Sequence, residues 1–168
     1  MHDRESIAAA VQTVLAECFS RRCLTLDEAV RLATRAEKAA KALSVPVVIA
    51  VADAGGGLML MHRMDGSLPA SVDIAVNKAF SAAAFRLPTH ELGALAQPGN
   101  ALYGVQFTNQ GRVVLFGGGF PCERDGVVLG AVGISGGTVD QDMRIARHAL
   151  HGFYEEAGFA LAGGKEHE

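Results

Sequence analysis

The positions of apolar and polar residues first predict two helices. Apolar side chains recur every three or four residues over 4–20, the spacing of one helix face. A second helix is predicted from Thr25 to Leu43, because Thr25 and Glu28 can form a capping box in which each side chain satisfies a free backbone N–H. Pro46 then ends any helix.

The next segments predict a hairpin followed by helices. The continuous apolar run over 46–53 is typical of a strand buried on both faces, and 58–63 returns antiparallel to it across the glycine turn 54–57. An alanine-rich helix is predicted over 70–86, and 88–97 adds one or two helical turns. Small side chains on the alanine-rich helix would let another helix or a flat ligand approach closely.

The C-terminal part predicts three strands and a last helix. The strands are expected over 112–116, 117–123 and 126–135, with residues 124–126 as a hairpin turn, and the helix over 139–157. Hairpins at both ends of the chain predict an α+β fold with an antiparallel sheet, because a crossover sheet would place a helix between successive strands.

Composition excludes several classes of protein. The net charge of −3 and an aromatic content of 6% argue against a nucleic-acid partner, which would need clustered cations and stacking aromatics. The N-terminal stretch over 1–22 has acids before its apolar part and no long apolar run, so neither a signal peptide nor a membrane span is expected there. Three cysteines without a CxxC motif indicate free thiols in a reducing compartment, so a cytoplasmic location is expected.

The stretch GAVGISGGTVDQD over 130–142 has the layout of many phosphate sites: a strand, a glycine turn and a helix start. However, Thr138 and Gln141 form a second capping box, and Asp140 and Asp142 already supply negative charge to the helix N-terminus. We therefore expect the turn to exclude phosphate. A neutral or cationic group, or a subunit contact, fits the two acids better.

Four motifs together resemble one family. They are VNKAFSAA over 76–83, QPGNALYG over 97–104, FGGGFP over 116–121 and the glycine-turn stretch over 130–142. Their order and spacing are similar to those of the GlcG/HbpS family, a small haem-binding domain that also forms the C-terminal part of PduO-type cobalamin adenosyltransferases. The resemblance covers residues 25–157.

This resemblance implies an α/β sandwich with a five-stranded antiparallel sheet and helices packed on its faces. It also implies a homo-oligomer and, as in some members, haem as a possible cofactor. The adenosyltransferase activity belongs to another domain of the PduO-type proteins. The expected organisation is an N-terminal helical extension over 1–24, a GlcG/HbpS-like domain over 25–160 and a flexible tail over 161–168.

Histidines are the first candidate ligands, since imidazole is the usual axial ligand of haem. His90 is the metal-ligand candidate, with a surface histidine beside a helix cap as the alternative. His62 is a weaker candidate because its strand position could point it outward. His148 and His151 have a metal-binding spacing but no nearby acid or cysteine, which favours a solvated helix face. Cys122 has no adjacent base in sequence and is a poor candidate for a catalytic thiol.

Five further residues are candidates for ligand binding. Lys78 is almost alone as a charge in the alanine-rich helix and has no acid three or four positions away. With its neighbour Asn77 it could bind a carboxylate, or it could act as a base or be solvated. Asp53 and Arg63 could bind a ligand or form an ion pair across the hairpin. Tyr103 is a candidate pocket wall or haem ligand.

Three functions remain open at this point. The first is a haem- or tetrapyrrole-binding accessory protein for sensing, storage or degradation. The second is a cofactor-independent enzyme acting on a carboxylate-bearing metabolite, with Lys78 or Arg63 holding the carboxylate and His90, Asp53 or Asp142 moving protons. The third is a structural partner of a metabolic enzyme. Independently of this choice, we expect a homo-oligomer that binds a small-molecule ligand, with no nucleic acid and no membrane among its partners.

Overall fold

A computed structural model describes residues 23–156, together with the single positions 7 and 11. Apart from those two positions, the predicted helix over 4–20 lies outside the described residues. So do the tail over 161–168 and almost all of the predicted extension over 1–24. The domain boundaries therefore stay predictions.

Residues 23–156 contain four α-helices and four strands, and each was predicted to within two residues at either end. The helices are α1 (Leu26–Ala42), α2 (Ser71–Phe85), α3 (Thr89–Leu95) and α4 (Val139–Glu156). The strands are β1 (Val48–Asp53), β2 (Leu58–Arg63), β3 (Gly119–Arg124) and β4 (Val127–Ser135). Two short 3-10 turns, Val105–Phe107 and Asn109–Gly111, lie in the long loop before β3.

The four strands form one antiparallel sheet in the order β2-β1-β4-β3, with helices on both faces. Alternate side chains of β1 point to opposite faces, as the period of two requires. Ile49 and Val51 pack into the larger core with α1 and α4, whereas Val48 and Ala50 pack against α2. The predicted α+β class, the antiparallel sheet and the burial of β1 on both faces are confirmed.

The prediction of a fifth strand over 112–116 is wrong. This segment is tied to the helices instead: the Val114 N–H donates to Ser81 Oγ at 2.9 Å, and the Ser81 hydroxyl donates to the Arg112 carbonyl at 3.3 Å. The Leu115 carbonyl lies so close to α3 that a Cβ on Gly93 would sit 2.0 Å from it. Val113 is therefore buried without a neighbouring strand, while Phe116 stays 45% exposed, and no strand among the described residues pairs with the segment.

The small residues of α2 serve contact with the sheet. Ala75, Ala79 and Ala82 are fully buried, and a Cβ on Gly133 of β4 would lie 2.1 Å from the Ala75 carbonyl. At this spacing only glycine and alanine fit between helix and strand. The close approach expected for another helix or a flat ligand is thus made by the sheet.

Within residues 23–156, no helix combines the length and the apolar composition that a membrane span would need.

Candidate functional site

The candidate residues Lys78 and Asp142 meet in the interior. Lys78 Nζ donates to Asp142 Oδ2 and to the Ile134 carbonyl, each at 2.8 Å, and both side chains are almost completely buried. The acid that the local sequence around Lys78 lacks is therefore supplied by the first turn of α4. The pair connects α2, the end of β4 and α4.

The glycine segment 117–119 seals this ion pair from solvent. A Cβ on Gly118 would lie 2.6 Å from Lys78 Nζ, and a Cβ on Gly119 would lie 2.5 Å from the Lys78 carbonyl. The ring centroid of Phe116 lies 4.8 Å from Nζ, within the range of a cation–π contact. A ligand carboxylate could reach Lys78 only if this cover moved, so neither the solvated lysine nor the open binding lysine of the sequence analysis matches the structure.

Burial has opposite effects on the two charges of the pair. Desolvation lowers the pKa of Lys78, and its hydrogen bond with Asp142 opposes that shift. Desolvation raises the pKa of Asp142, while Lys78 and the backbone N–H groups of Gly137 and Gly136 oppose that shift. Each charge is thus tolerated in the core because the other one is present.

The glycine turn before α4 has its donors occupied by the chain itself. The Gly137 N–H donates to Asp142 Oδ1 at 3.0 Å, and the Thr138 N–H donates to Gln141 Oε1 at 2.9 Å. The Gln141 N–H donates back to Thr138 Oγ1 at 3.3 Å, which completes the predicted capping box. A phosphate at this turn would have to displace these side chains.

The prediction of an ion pair between Asp53 and Arg63 is wrong. The hairpin register places Val48 opposite Arg63, so Arg63 lies at the far end of the hairpin from Asp53. Asp53 Oδ1 instead accepts the N–H groups of Gly55 and Gly57 at 2.8 and 2.9 Å, which holds the turn. The two residues were expected to meet because each is the last residue of its strand. In an antiparallel hairpin, however, the last residues of the two strands lie at opposite ends of the hairpin.

Asn77 lies on the outer side of α2, and Tyr103 lies in the long loop before β3. Asn77 Oδ1 accepts a hydrogen bond from Arg112 Nε at 3.3 Å, and the Arg112 guanidinium stacks 3.8 Å from the Phe80 ring centroid. These contacts dock the 112–116 segment on the helix. Tyr103 is 65% exposed.

His90 is the second residue of α3, and its side chain is partly exposed near β3 and α4. Its ring centroid lies 5.5 Å from that of Phe120, and the Arg147 guanidinium lies 5.3 Å from the same ring. Burial, with a smaller effect of Arg147, lowers the pKa of His90, and Glu91 opposes this shift. Its Nδ1 is buried without a hydrogen-bond partner in the described part of the chain.

An open cleft of about 560 Å³ lies where α1 runs beside the end of β2. It is lined by Glu37, Lys41, His62, Arg63, Met64 and Asp65. Its volume is within the range of about 300–1,000 Å³ that is usual for ligand sites. Lys41 Nζ lies 2.6 Å from Glu37 Oε1, and His62 Nδ1 lies 3.4 Å from Glu37 Oε2.

Sequence reasoning placed Arg63 and His62 among the candidates but missed Glu37 and Lys41. These two have the spacing of an ordinary solvated pair on the polar face of a helix. Only the packing of α1 beside β2 brings them to the histidine. The hydrogen bond from Lys41, supported by His62, lowers the pKa of Glu37 and keeps it ionised at pH 7.

The candidate residues thus occupy separate places. Lys78 and Asp142 share the sealed core, and Arg63 lines the cleft with His62. Among the described residues, no three His, Cys, Asp or Glu side chains are grouped closely enough to hold a bare metal ion. The cleft is lined by one imidazole, one thioether, two cations and two carboxylates.

Comparison with protein families shows a match over residues 24–151. The matching family model is described as "Haem degrading protein HbpS-like". The match covers the whole sheet and most of α4, so it includes both the buried ion pair and the cleft.

Two curated relatives come from Citrobacter freundii. The first is a 15.0 kDa protein encoded in the dhaT–dhaS intergenic region, 49% identical over 132 residues that cover 79% of this chain and 93% of that protein. The second is the corrinoid adenosyltransferase PduO, 46% identical over 127 residues. Those residues are 76% of this chain but only 38% of PduO, so the likeness covers a minor part of that enzyme.

A solved structure of a PduOC–haem complex is also similar. It is 43% identical with a TM-score of 0.74, and the match covers 77% of this chain and 94% of that one.

Proposed function

The chain belongs to the HbpS-like family, and on that premise we propose that it is an accessory protein that binds haem or a closely related tetrapyrrole. The observation that supports this most strongly is the likeness to the PduOC–haem complex, which extends over nearly the whole of that chain. The part of PduO that this chain resembles is a minority of the enzyme, so adenosyl transfer is not proposed.

The residues of the cleft fit a haem group chemically. Haem carries two propionates, and Arg63 lines the cleft with a guanidinium that can pair with a carboxylate, whereas Lys41 is already paired with Glu37. His62 and Met64, in the same cleft, carry two of the kinds of side chain that bind haem iron in proteins. Bound haem would supply a redox-active iron, and the chain would orient it and set its access to solvent.

The sites proposed for a cofactor-independent enzyme fit less well. Lys78 and Asp142 neutralise each other beneath the glycine segment, and Asp53 is occupied by its own turn. The residues named for carboxylate binding and for proton transfer therefore do not converge on one accessible place. Sensing, storage and degradation of haem remain alternatives within the proposed function.

Titration of the purified protein with haemin tests this proposal. A sharp Soret band that saturates at one equivalent per chain, or at a fixed fraction of it, is the expected result. Iron-free protoporphyrin and a small hydroxy acid serve as comparison ligands, the second being followed by calorimetry. Broad absorbance that rises without saturation, together with a heat of binding for the hydroxy acid, would contradict haem binding and support a cofactor-independent enzyme instead.

A further inference from the structure

We infer that His62, oriented by Glu37 in the cleft between α1 and β2, is the imidazole that binds the haem iron, and that Arg63 binds a propionate of the same haem. This inference rests on the proposed function. It assigns the metal-ligand role to a different histidine from His90, the candidate favoured by the sequence.

The contact with Glu37 prepares His62 for this role. Histidines that bind metals usually donate their other ring N–H to a carboxylate or a carbonyl, which selects the tautomer and makes the ligating nitrogen more basic. His62 Nδ1 faces Glu37 Oε2 at 3.4 Å, near the long end of hydrogen bonding. Nε2 is then the free nitrogen, on a side chain that remains 35% exposed.

Glu37 is able to act as that acceptor at neutral pH. Lys41, one helical turn away, hydrogen-bonds the other oxygen of the carboxylate at 2.6 Å. This contact fixes the carboxylate on α1 and leaves Oε2 directed at the imidazole. The three side chains form a line of cation, carboxylate and imidazole that ends in the cleft.

His90 lacks the corresponding support. Its Nδ1 is buried with no hydrogen-bond partner among the described residues, so nothing there selects its tautomer or increases the basicity of Nε2. Its nearest acid, Glu91, lies 3.9 Å from Nε2, the nitrogen that would have to face the iron. His62 is therefore the better prepared of the two rings.

The formal charges that line the cleft cancel, and His62 and Arg63 offer one contact to a metal and one to a carboxylate. Arg63 and Lys41 are balanced there by Glu37 and Asp65, so the cleft is not a general site for anions. Arg63 is exposed beside His62 on β2, where its guanidinium can pair with a propionate in the two-point geometry that arginine allows. A simple dicarboxylate would gain this contact but not the one to His62.

Histidine variants test the iron ligand. His62→Ala should lower haemin affinity at least tenfold and shift the Soret maximum, and added imidazole should restore the wild-type spectrum. His90→Ala and the exposed His148→Ala are matched controls that should bind as wild type does. Far-UV circular dichroism establishes that each variant is folded, and His62→Gln provides a second, polar replacement on the edge strand.

Two further variants test the supporting residues. Glu37→Gln should weaken haemin binding about 10- to 100-fold, the usual effect of losing a partner of a ligating histidine. Arg63→Met should weaken binding of haemin but leave binding of haemin dimethyl ester unchanged, because the ester has no free propionate.

The outcomes separate this inference from the proposed function. If the wild type shows no saturable Soret band, the proposed function fails. If the wild type binds haemin while His62→Ala keeps its affinity and spectrum, and His90→Ala loses them, the function stands and this assignment is wrong. Equal losses of haemin and of its dimethyl ester in Arg63→Met would overturn the propionate contact.

Discussion

Replacing Lys78 by methionine tests the energetics of the buried ion pair. Methionine keeps much of the apolar length of lysine but removes the charge, so Asp142 is left as a lone carboxylate in the core. Removing one partner of a buried pair typically costs about 3–5 kcal/mol, because the remaining charge stays desolvated without its counter-ion. Since Lys78 is fully buried and Asp142 nearly so, we expect the full effect here.

A double variant shows whether the cost comes from the stranded charge. In Lys78→Met/Asp142→Asn the amide oxygen can still accept the Gly137 N–H that now donates to Asp142 at 3.0 Å, but no charge is buried. Replacing both partners of a buried pair is often close to neutral. The double variant should therefore recover most of the stability that the single variant loses.

The stability difference between these two variants should depend on pH. Burial already raises the pKa of Asp142 with Lys78 present, and losing the ammonium raises it further. A carboxyl whose folded-state pKa exceeds its unfolded value favours the folded state when protonated, and this contribution is lost as pH rises through the folded pKa. Lowering the pH from 7 toward 5 should thus narrow the gap between the single and the double variant.

Urea denaturation of the apoprotein, followed by far-UV circular dichroism at one fixed protein concentration, measures these differences. Lys41→Met is the matched control: it makes the same substitution in an ion pair whose lysine is 65% exposed, and it should cost no more than about 1 kcal/mol. The reasoning is refuted if Lys78→Met costs as little as Lys41→Met, or if the double variant is as unstable as the single one.

Four other outcomes can be checked with standard measurements. Thr138→Ala removes a helix cap and should cost about 1 kcal/mol in urea denaturation, with haemin affinity within a few-fold of wild type; a collapse of affinity in the folded variant would instead make the turn a binding site. Gly118→Ala should cost about 1–3 kcal/mol more than Gly126→Ala, since both have positive φ but only the first Cβ overlaps neighbouring atoms; equal costs would contradict the close packing over Lys78. Burial raises the pKa of Cys122 to about 12, so in a variant whose other two cysteines are serine it should react with a thiol reagent at pH 8 only after unfolding; rapid reaction of the native protein would show an accessible thiolate. Light scattering at micromolar concentration should give at least a dimer, because large apolar side chains such as Phe107 are exposed on the single chain; a mass of 17.5 kDa would contradict this.

The local sequence determined the helices, four of the five predicted strands and the approximate ends of each. The capping boxes at Thr25 and Thr138 form as predicted, because each involves residues only three positions apart. The hairpin turn at 124–126 follows in the same way from Asp125 and Gly126, both at positive φ. Capping boxes and tight turns form between residues that are close in the chain, so the sequence alone is enough to predict them.

Tertiary packing determined that the segment over 112–116 is not a strand. Its apolar composition suits a strand, and the chain alone does not indicate which surface covers it. Ser81 on α2 takes the backbone hydrogen bonds that a neighbouring strand would have made. The sheet consequently ends at β3.

The candidate sites likewise depended on which distant elements meet. The partners Lys78 with Asp142, and Glu37 with His62, lie on different elements, and only the strand order β2-β1-β4-β3 with helices on both faces brings each pair together. Periodicity shows which side of an element is apolar, but a charged residue is compatible both with solvent and with a distant counter-charge. The sequence by itself therefore determined where the helices and most strands run, whereas the tertiary structure decided which charges are sealed in the core and which face an open cleft, because that depends on the desolvation and pairing that packing creates.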